Sequence, residues 1–423
     1  MKEIVLSLTF LVGTTFSSIA QNVIIPDANF KAYLVSQSGI NLNMDTEIQL
    51  SEASVYNGAI NLNSLNILDL TGIEAFTAMT GLLICYNPIT SMDLSQNTNL
   101  TSLECYINQL TSLDVSANTS LTTLRFERNM ITSIDLSNLS NLTMLTCGNN
   151  ELSSLDVSNN PMLDLLDFGN SWATGGSNQI SSIDLSNNTL LTTLGTTSNP
   201  ISALDLSNNT NLEMLYCDRN SLTSLNVSML PNLNYLSCSD NALTALNVTN
   251  NLALTDLYFG TNPITGSIDV SNLPSLKGIE CMSTSISSLN IANGNNTNFS
   301  IMWAISNPNL TCVQVDDAVW SAANWNAWNN IDPTASYSED CNGGLGLTSN
   351  VLKTMKLYPN PSTSNLTIET DEVILQVSIF NFDGKLVQNE NSASFSVESL
   401  ATGIYNVNVV TNNGVKTIRF TKE

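Results

Sequence analysis

The sequence runs to 423 residues with 12 Lys and Arg against 36 Asp and Glu, a net charge of −24, and it holds no histidine. Nucleic-acid phosphates need a basic footprint, so nucleic acid is excluded as a partner; Ser-His-Asp and Cys-His nucleophilic systems and histidine-ligated metal centres are excluded as well. Charged residues are only 11% and hydrophobic residues 42%, but the apolar residues are periodic, which fits an acidic exported protein rather than a disordered chain.

Residues 1–20 read as a secretory signal. Lys2 precedes the apolar run Ile4 to Val12, and Ser18-Ile19-Ala20 offers small residues for cleavage. That run is too short for an ordinary membrane helix, so the mature chain is expected to have no transmembrane segment. Residues 21–60 lack the repeat that fills the middle of the chain and are read as an N-terminal cap, with Asp27 capping a short helix that bears Phe30 and Leu34. Within it, Asn41, Asn43, Asp45, Glu47 and Glu52 fall at positions 1, 3, 5, 7 and 12 of an EF-hand-like loop. They are the candidate ligands for Ca²⁺, although Thr46 stands where such loops need glycine. The competing reading is a polar loop that ties the cap to the first coils.

A repeat fills 61–311. Its clearest form is Leu100-x-x-Leu103-x-Cys105-x-x-Asn108 followed by Leu110-x-x-Leu113-x-Val115-x-x-Asn118. Regular copies start at Met79, Leu100, Leu121, Leu142, Leu163, Leu191, Leu212, Leu233, Leu254 and Leu276, after a degenerate coil at 61–78. A period in the twenties with this pattern predicts a solenoid whose coils pack only on their neighbours. Alternation of inward and outward residues in both half-units predicts two parallel sheets facing each other. Asn108 and Asn118 are expected to take left-handed turns and to bond the same amide one coil along. Cys105, Cys147, Cys217, Cys238 and Cys281 share one repeat position with Phe126, Phe168 and Phe259, which makes it a core position; Cys85 lies one position off and is expected to be exposed. The copy at Leu163 carries an insertion, Ser171 to Ser177, with Trp172 as a candidate contact.

Residues 312–341 are read as a C-terminal cap. Asp316 and Asp317 can cap a helix with Val319, Trp320 and Ala323, while Trp325, Trp328 and Tyr337 add bulk. Cys312 and Cys341 are expected to form a disulfide in an oxidising compartment. Residues 342–350 form a linker. Beyond it, strand-like runs at 366–369, 373–382, 395–397, 405–410 and 415–420, with turns at Asp383-Gly384 and Asn413-Gly414, predict a small antiparallel β-sandwich over 351–423. The fold class is therefore mainly β.

The two solenoid faces differ. Asp93, Asp114, Asp135, Asp156, Asp184, Asp205 and Asp269, with Asn226, Asn247 and Asn290 in the same place, make a ladder on the second half-units. It is expected to bond neighbouring Ser and Thr groups; gathering cations between coils is the alternative. The outward residues of the first half-units vary from copy to copy. Tyr106, Arg125, Arg128, Tyr216, Asp218, Arg219, Tyr235 and Tyr258 are the candidate partner-binding residues, because aromatics and arginines concentrate there in an acidic chain.

The repeat LxxLxCxxNxLTSLDLSxN resembles the leucine-rich repeats of bacterial surface proteins over about 61–311, as do Ile25-Pro-Asp-Ala-Asn-Phe30 and the Cys312…Cys341 cap. Tyr358-Pro359-Asn360-Pro361, Gly403-Ile-Tyr405 and the closing strand Thr417 to Lys422 are similar to the type IX secretion sorting domain, although Phe420-Thr-Lys-Glu423 departs from that family's basic ending. The second resemblance implies an immunoglobulin-like sandwich, handling by the type IX secretion machinery, and release from or attachment to the outer surface of a Gram-negative cell. The expected function is adhesion or recognition of a protein or glycan by a monomeric, non-enzymatic protein. The alternative is a structural surface-layer or matrix component that uses the acidic ladder.

Overall fold

The computed structural model describes residues 21–170, 177–325, 330–341, 355–411 and 414–423. The expected signal at 1–20, Trp172 and most of its insertion, Trp328, the linker at 342–350 and Asn413 lie outside the described residues. The chain divides into two units, 1–341 and 342–423.

In the first unit, twelve strands, each of three residues, join in sequence order into one parallel sheet from Ala59–Asn61 to Ile301–Trp303. The register is strict: Leu82 pairs with Leu103, Leu103 with Leu124, Leu124 with Leu145, and Leu194 with Leu215. These leucines are wholly buried and form one spine. The core cysteines and phenylalanines make a second row beside it, with Cys105, Phe126, Cys147, Phe168 and Cys217 all at 0% exposure. A Cys and a Phe interchange there because each coil packs on its neighbours and the following coil can fill the difference in volume. The sheet begins at Ala59, two residues inside the segment read as the cap.

The second half-units are less regular than expected. Only Thr265–Asp269, Ser285–Asn290, Cys312–Gln314 and Ser336–Ser338 join into a second parallel sheet. Earlier coils run extended and exchange few main-chain bonds, such as Met130 N–H to the Leu110 carbonyl at 2.8 Å and Glu151 N–H to that of Ile131 at 2.9 Å. A local bond recurs on these half-units, both in coils outside the second sheet and in those within it. Asp114 Oδ1 accepts the N–H of Ser116 at 2.9 Å, and Asp135 that of Ser137 at 2.9 Å, so those amides are satisfied within their own turn.

The asparagines behave differently from expectation. In the first half-units the left-handed residue is the one before the asparagine, as in Ile107 (φ 57°), Arg128 (φ 56°) and Arg219 (φ 53°). The asparagine itself is turned inward and bonds main chain rather than its counterpart. Asn129 Nδ2 donates to the carbonyls of Cys105 at 3.0 Å and Phe126 at 2.9 Å, and its Oδ1 accepts Leu110 N–H at 3.0 Å. One amide thus joins two coils and closes its own turn. The row ending the second half-units bonds through its amide nitrogen alone: Asn118 Nδ2 donates to the carbonyls of Leu94 at 3.1 Å and Asn97 at 2.9 Å, while its Oδ1 is buried without a hydrogen-bond partner.

Cys85 also departs from expectation. It is buried. Ile84 takes the core row, and the Cys85 thiol donates sideways to the Glu104 carbonyl of the next coil at 3.3 Å. Burial pushes its thiol up to about 11.

Both solenoid ends are closed. At the start, Asp27 caps the helix Ala28–Ser36, accepts Asn29 and Phe30 N–H, and also takes Leu68 N–H at 2.8 Å from the first coil. At the far end, Asp317 caps the helix Ala318–Asn324 by accepting Trp320 N–H at 2.8 Å. Asp316 instead accepts Gly294 and Asn296 N–H, which ties this cap to the last coil. Trp325 packs against Phe299, Trp320 and Tyr337 at ring distances of 5.4 to 5.8 Å. Cys312 and Cys341 are joined in the expected disulfide, with Cα atoms 5.7 Å apart.

The second unit is an antiparallel sandwich. Lys356–Tyr358, Asn365–Glu369 and Ser394–Ser396 form one sheet; Leu386–Glu390, Ile374–Phe380, Gly403–Thr411 and Gly414–Lys422 form the other. Leu366, Ile368, Val377, Ile379, Val407 and Phe420 fill the space between them. Lys356–Tyr358 and Leu386–Glu390 are additional to the runs read from the sequence, because neither shows a long apolar alternation. The Tyr405 hydroxyl donates to the Ala401 carbonyl at 2.8 Å while its ring stacks on Phe420 at 5.4 Å, a corner that immunoglobulin-like sandwiches share.

Candidate binding face

The outward side chains of the long sheet come from the first and third residues of each strand and the residue two further on. Parallel register sets like positions side by side on successive coils. The candidate residues therefore gather into two clusters on one face instead of scattering.

The first cluster centres on Arg125. Its guanidinium carbon lies 4.9 Å from the centre of the Tyr106 ring. The same group meets Glu104 at 3.5 Å and Glu127 at 3.0 Å, and Arg125 Nε donates to Thr146 Oγ1 at 3.2 Å. Tyr86, which pattern reading of the sequence missed, sets its ring edge-on to Tyr106 at 5.5 Å. Arg128 occupies the left-handed turn beyond this strand and is half-buried.

The second cluster is built on Tyr216, Tyr235 and Tyr258. Tyr235 opens its strand, whereas Tyr216 and Tyr258 close theirs with the small Ser237 between them. The Tyr235 ring leans into that gap, 4.8 Å from Tyr216 and 5.5 Å from Tyr258. Asp256, also missed from sequence, is the register partner of Tyr235 and accepts the Tyr258 hydroxyl at 2.9 Å. Aligning the strands by repeat register, rather than scanning for arginine and aromatics, would have found it. Asp218 accepts Ser237 Oγ and Ser239 N–H, and Glu280 accepts Ser239 Oγ, Gly260 N–H and Met282 N–H. Burial pushes the Asp218 and Glu280 carboxyls above their ordinary values. Burial also pushes the Tyr235 phenol up to about 12. Arg219 stands at a left-handed turn with its Nε 3.4 Å from Asp240.

Between the clusters Gly148, Gly169 and Gly195 lie on the face; a Cβ on Gly148 would run into the Gly169 carbonyl oxygen, and the Asp167 side chain stands against Gly195.

The expected calcium loop is held by its own hydrogen bonds. Glu52 accepts Leu42 N–H at 2.7 Å, Asn43 N–H at 3.1 Å and Gln49 N–H at 2.9 Å, so the carboxylate at position 12 works as a helix capping box. Asp45 accepts Glu47 N–H, Asn43 Nδ2 and Gln49 Nε2, and Asn41 Nδ2 donates to the carbonyls of Val35 and Asp45. Glu47 pairs with Lys31 at 2.6 Å. These bonds account for the residue types as a polar tie, and among the described residues no three His, Cys, Asp or Glu side chains group as a metal site.

The acidic ladder is likewise occupied. Asp93, Asp156, Asp184, Asp205 and Asp269 each accept the N–H two residues on, as do Asn226, Asn247 and Asn290. Those bonds hold the Asp93 and Asp156 carboxyls below the ordinary range, and side-chain and main-chain bonds from Ser116 do the same for Asp114.

Residues 356–423 match the model of the secretion system C-terminal sorting domain. The chain is similar to the functional domain of InlJ from Listeria monocytogenes, which includes a cysteine ladder. That match has 26% identity and a TM-score of 0.61, and it covers 96% of this chain and 100% of that one. It is also similar in fold to internalin InlF of the same species, at 20% identity and TM-score 0.54, over 77% of this chain and 99% of that one. The protein is a leucine-rich-repeat surface protein with a type IX secretion sorting domain. No curated protein matches the sequence.

In this leucine-rich-repeat protein the segment Tyr358-Pro359-Asn360-Pro361 is stitched to the closing strand. Asn360 Nδ2 donates to the Arg419 carbonyl at 3.0 Å and its Oδ1 accepts Thr421 N–H at 3.0 Å. Ser362 N–H donates to the Thr421 carbonyl at 2.9 Å, and Glu423 N–H returns to the Ser362 carbonyl at 3.0 Å. Tyr358–Pro359 and Asn360–Pro361 are both cis. No helix among the described residues is long and apolar enough to cross a membrane.

Proposed function

We infer that the protein is exported to the exterior of a Gram-negative cell and there binds a protein or glycan partner through the outer face of the long sheet, without catalysing a reaction. The observation that carries this reading is the Tyr216–Tyr235–Tyr258 stack: three half-buried aromatic rings, Tyr235 in contact with both others, on the outer face of the sheet. Ring stacks of that kind supply contact area at small entropic cost and are where binding energy concentrates. The surrounding carboxylates and Arg219 give the face its selectivity.

The test replaces Tyr216, Arg219 and Tyr235 together by alanine in the full chain and screens it beside the parent on glycan arrays and cell surfaces. Loss of retention, about a hundredfold or more, with an unchanged melting temperature is expected. A triple variant that binds every surface as the parent does would remove the face from consideration.

A further inference from the structure

The two clusters on the long sheet share a plan but differ in one respect. In the first, the guanidinium of Arg125 stacks on Tyr106 and is flanked by Glu104 and Glu127. A ring below and a carboxylate on either side make a complete site for arginine, filled here by a residue of the chain itself. In the second, rings and carboxylates are again present over neighbouring coils, but the arginine of that region, Arg219, reaches Asp240 from its turn. Among the described residues the cation stacked over a ring is Arg125.

The charge balance runs the same way. Between 212 and 281 the basic residues are Arg219 and Lys277, against Glu213, Asp218, Asp240, Asp256, Asp269 and Glu280. Asp256 touches the Tyr258 hydroxyl and is paired in register with Tyr235. Asp218 and Glu280 are joined through Ser239, which donates its N–H to one and its hydroxyl to the other. Asp256 opens the strand Asp256–Tyr258, Glu280 closes Gly278–Glu280 on the next coil, and Asp218 follows Met214–Tyr216 two coils before Asp256.

We propose that Tyr216, Tyr235 and Tyr258, together with Asp218, Asp256 and Glu280, bind an arginine side chain presented by a basic segment of a protein partner, in the arrangement the chain makes with its own Arg125. This rests on the outer face being the binding surface and adds the partner's chemistry. Arginine suits the site better than lysine, because a planar guanidinium covers a ring and meets two carboxylates at once. A neutral glycan would gain from the rings but leave the carboxylates without a counter-charge. The raised carboxyls of Asp218 and Glu280 agree, since an incoming cation offsets the burial that raises them.

The test uses the full chain and two labelled peptides, acetyl-Gly-Ser-Arg-Gly-Ser-Arg-Gly-Ser-amide and its counterpart with citrulline for arginine, read by fluorescence polarisation. The arginine peptide is expected to bind about tenfold or more tightly than the citrulline peptide, and to weaken as NaCl rises from about 0.05 to 0.5 M. Asp256→Asn with Glu280→Gln removes that preference, and Tyr235→Ala weakens binding where Tyr235→Phe does not. Each variant is checked for an unchanged melting temperature. Equal affinity for the two peptides, or binding of neither, overturns the proposal. If a glycan or neutral protein is then retained in a Tyr235-dependent way, the binding face stands and only the arginine site is lost.

Discussion

Tyr235 shows how one side chain can report on its surroundings. Its phenol is raised to about 12 by burial among Tyr216, Asp218 and Asp256, above the ordinary value of about 10. Below pH 10 the ring is neutral whether the chain is folded or not, and its contribution to stability is complete. As pH rises through 10 toward 12 the unfolded chain loses that proton first, so stability falls. The melting temperature should be level up to about pH 10 and then drop, and Tyr235→Phe should make the alkaline drop shallower. An unchanged slope would mean that the ring is open to water. The sequence disclosed this tyrosine, its neighbours and Arg125 as outward residues, because inward and outward positions alternate. It did not disclose the partners. Tyr86 follows a coil whose core residue, Ile84, hides the repeat grammar, and Asp256 is an unremarked acid until the strands are laid side by side.

On the level of the coil, the Asp-x-Ser turn is the feature with the clearest consequence. The turn needs an acceptor at its first position, not a charge: Asn226 and Asn247 already fill that place by accepting Ser228 and Thr249 N–H. Asp114→Asn should therefore leave the melting temperature at neutral pH nearly unchanged, whereas Asp114→Ala should lower it. Because the bonded carboxyls are depressed, their contribution is present above the ordinary carboxylate value and is lost as pH falls through the folded one. The asparagine variant should resist acid better than the parent. A chelator should change none of these melting temperatures, and a fall on adding one would restore cations to the ladder or to the Asn41–Glu52 loop. The same turn shows where pattern reading stopped. Alternation at Leu113 and Val115 correctly told which side chains face inward, but alternation is shared by any extended segment. Whether an extended segment joins a ladder depends on where its amides and carbonyls find partners on the next coil. The asparagines were visible as turn markers for a related reason: their spacing was plain, while the preference for main-chain carbonyls over a sister amide depends on which groups the neighbouring coil leaves unpaired.

The whole first unit is only as secure as its two ends. A parallel stack exposes unpaired edges at both, and here a helix with its bonded loop closes one while Trp325 and its neighbours close the other. The Cys312–Cys341 bridge spans a sequence separation of 29 residues and fastens that second closure. Replacing both cysteines by serine should cost about 2–4 kcal/mol in the denaturant unfolding of this unit. Hydrogen exchange should rise first at 301–315. Uniform exchange along the stack would show that the ends do not govern it. The six remaining thiols, at 85, 105, 147, 217, 238 and 281, are buried. They should be silent to a thiol reagent in the native protein.

The unbroken register of the twelve-stranded sheet carries a last consequence. Each strand pairs with the next in the same register, and the bonds of Asn129 or Asn118 reach one neighbour only. Excising Leu121 to Asn141 would join Ser120 directly to Leu142, a leucine in the same place with the same asparagine after it. The shortened molecule would close over the seam as a zip does when a few teeth are cut out evenly from both sides. Cutting one residue more or fewer would swing every later side chain around the coil. Length in this architecture is a quantity that can be dialled in whole turns, while the composition of each turn stays free to vary.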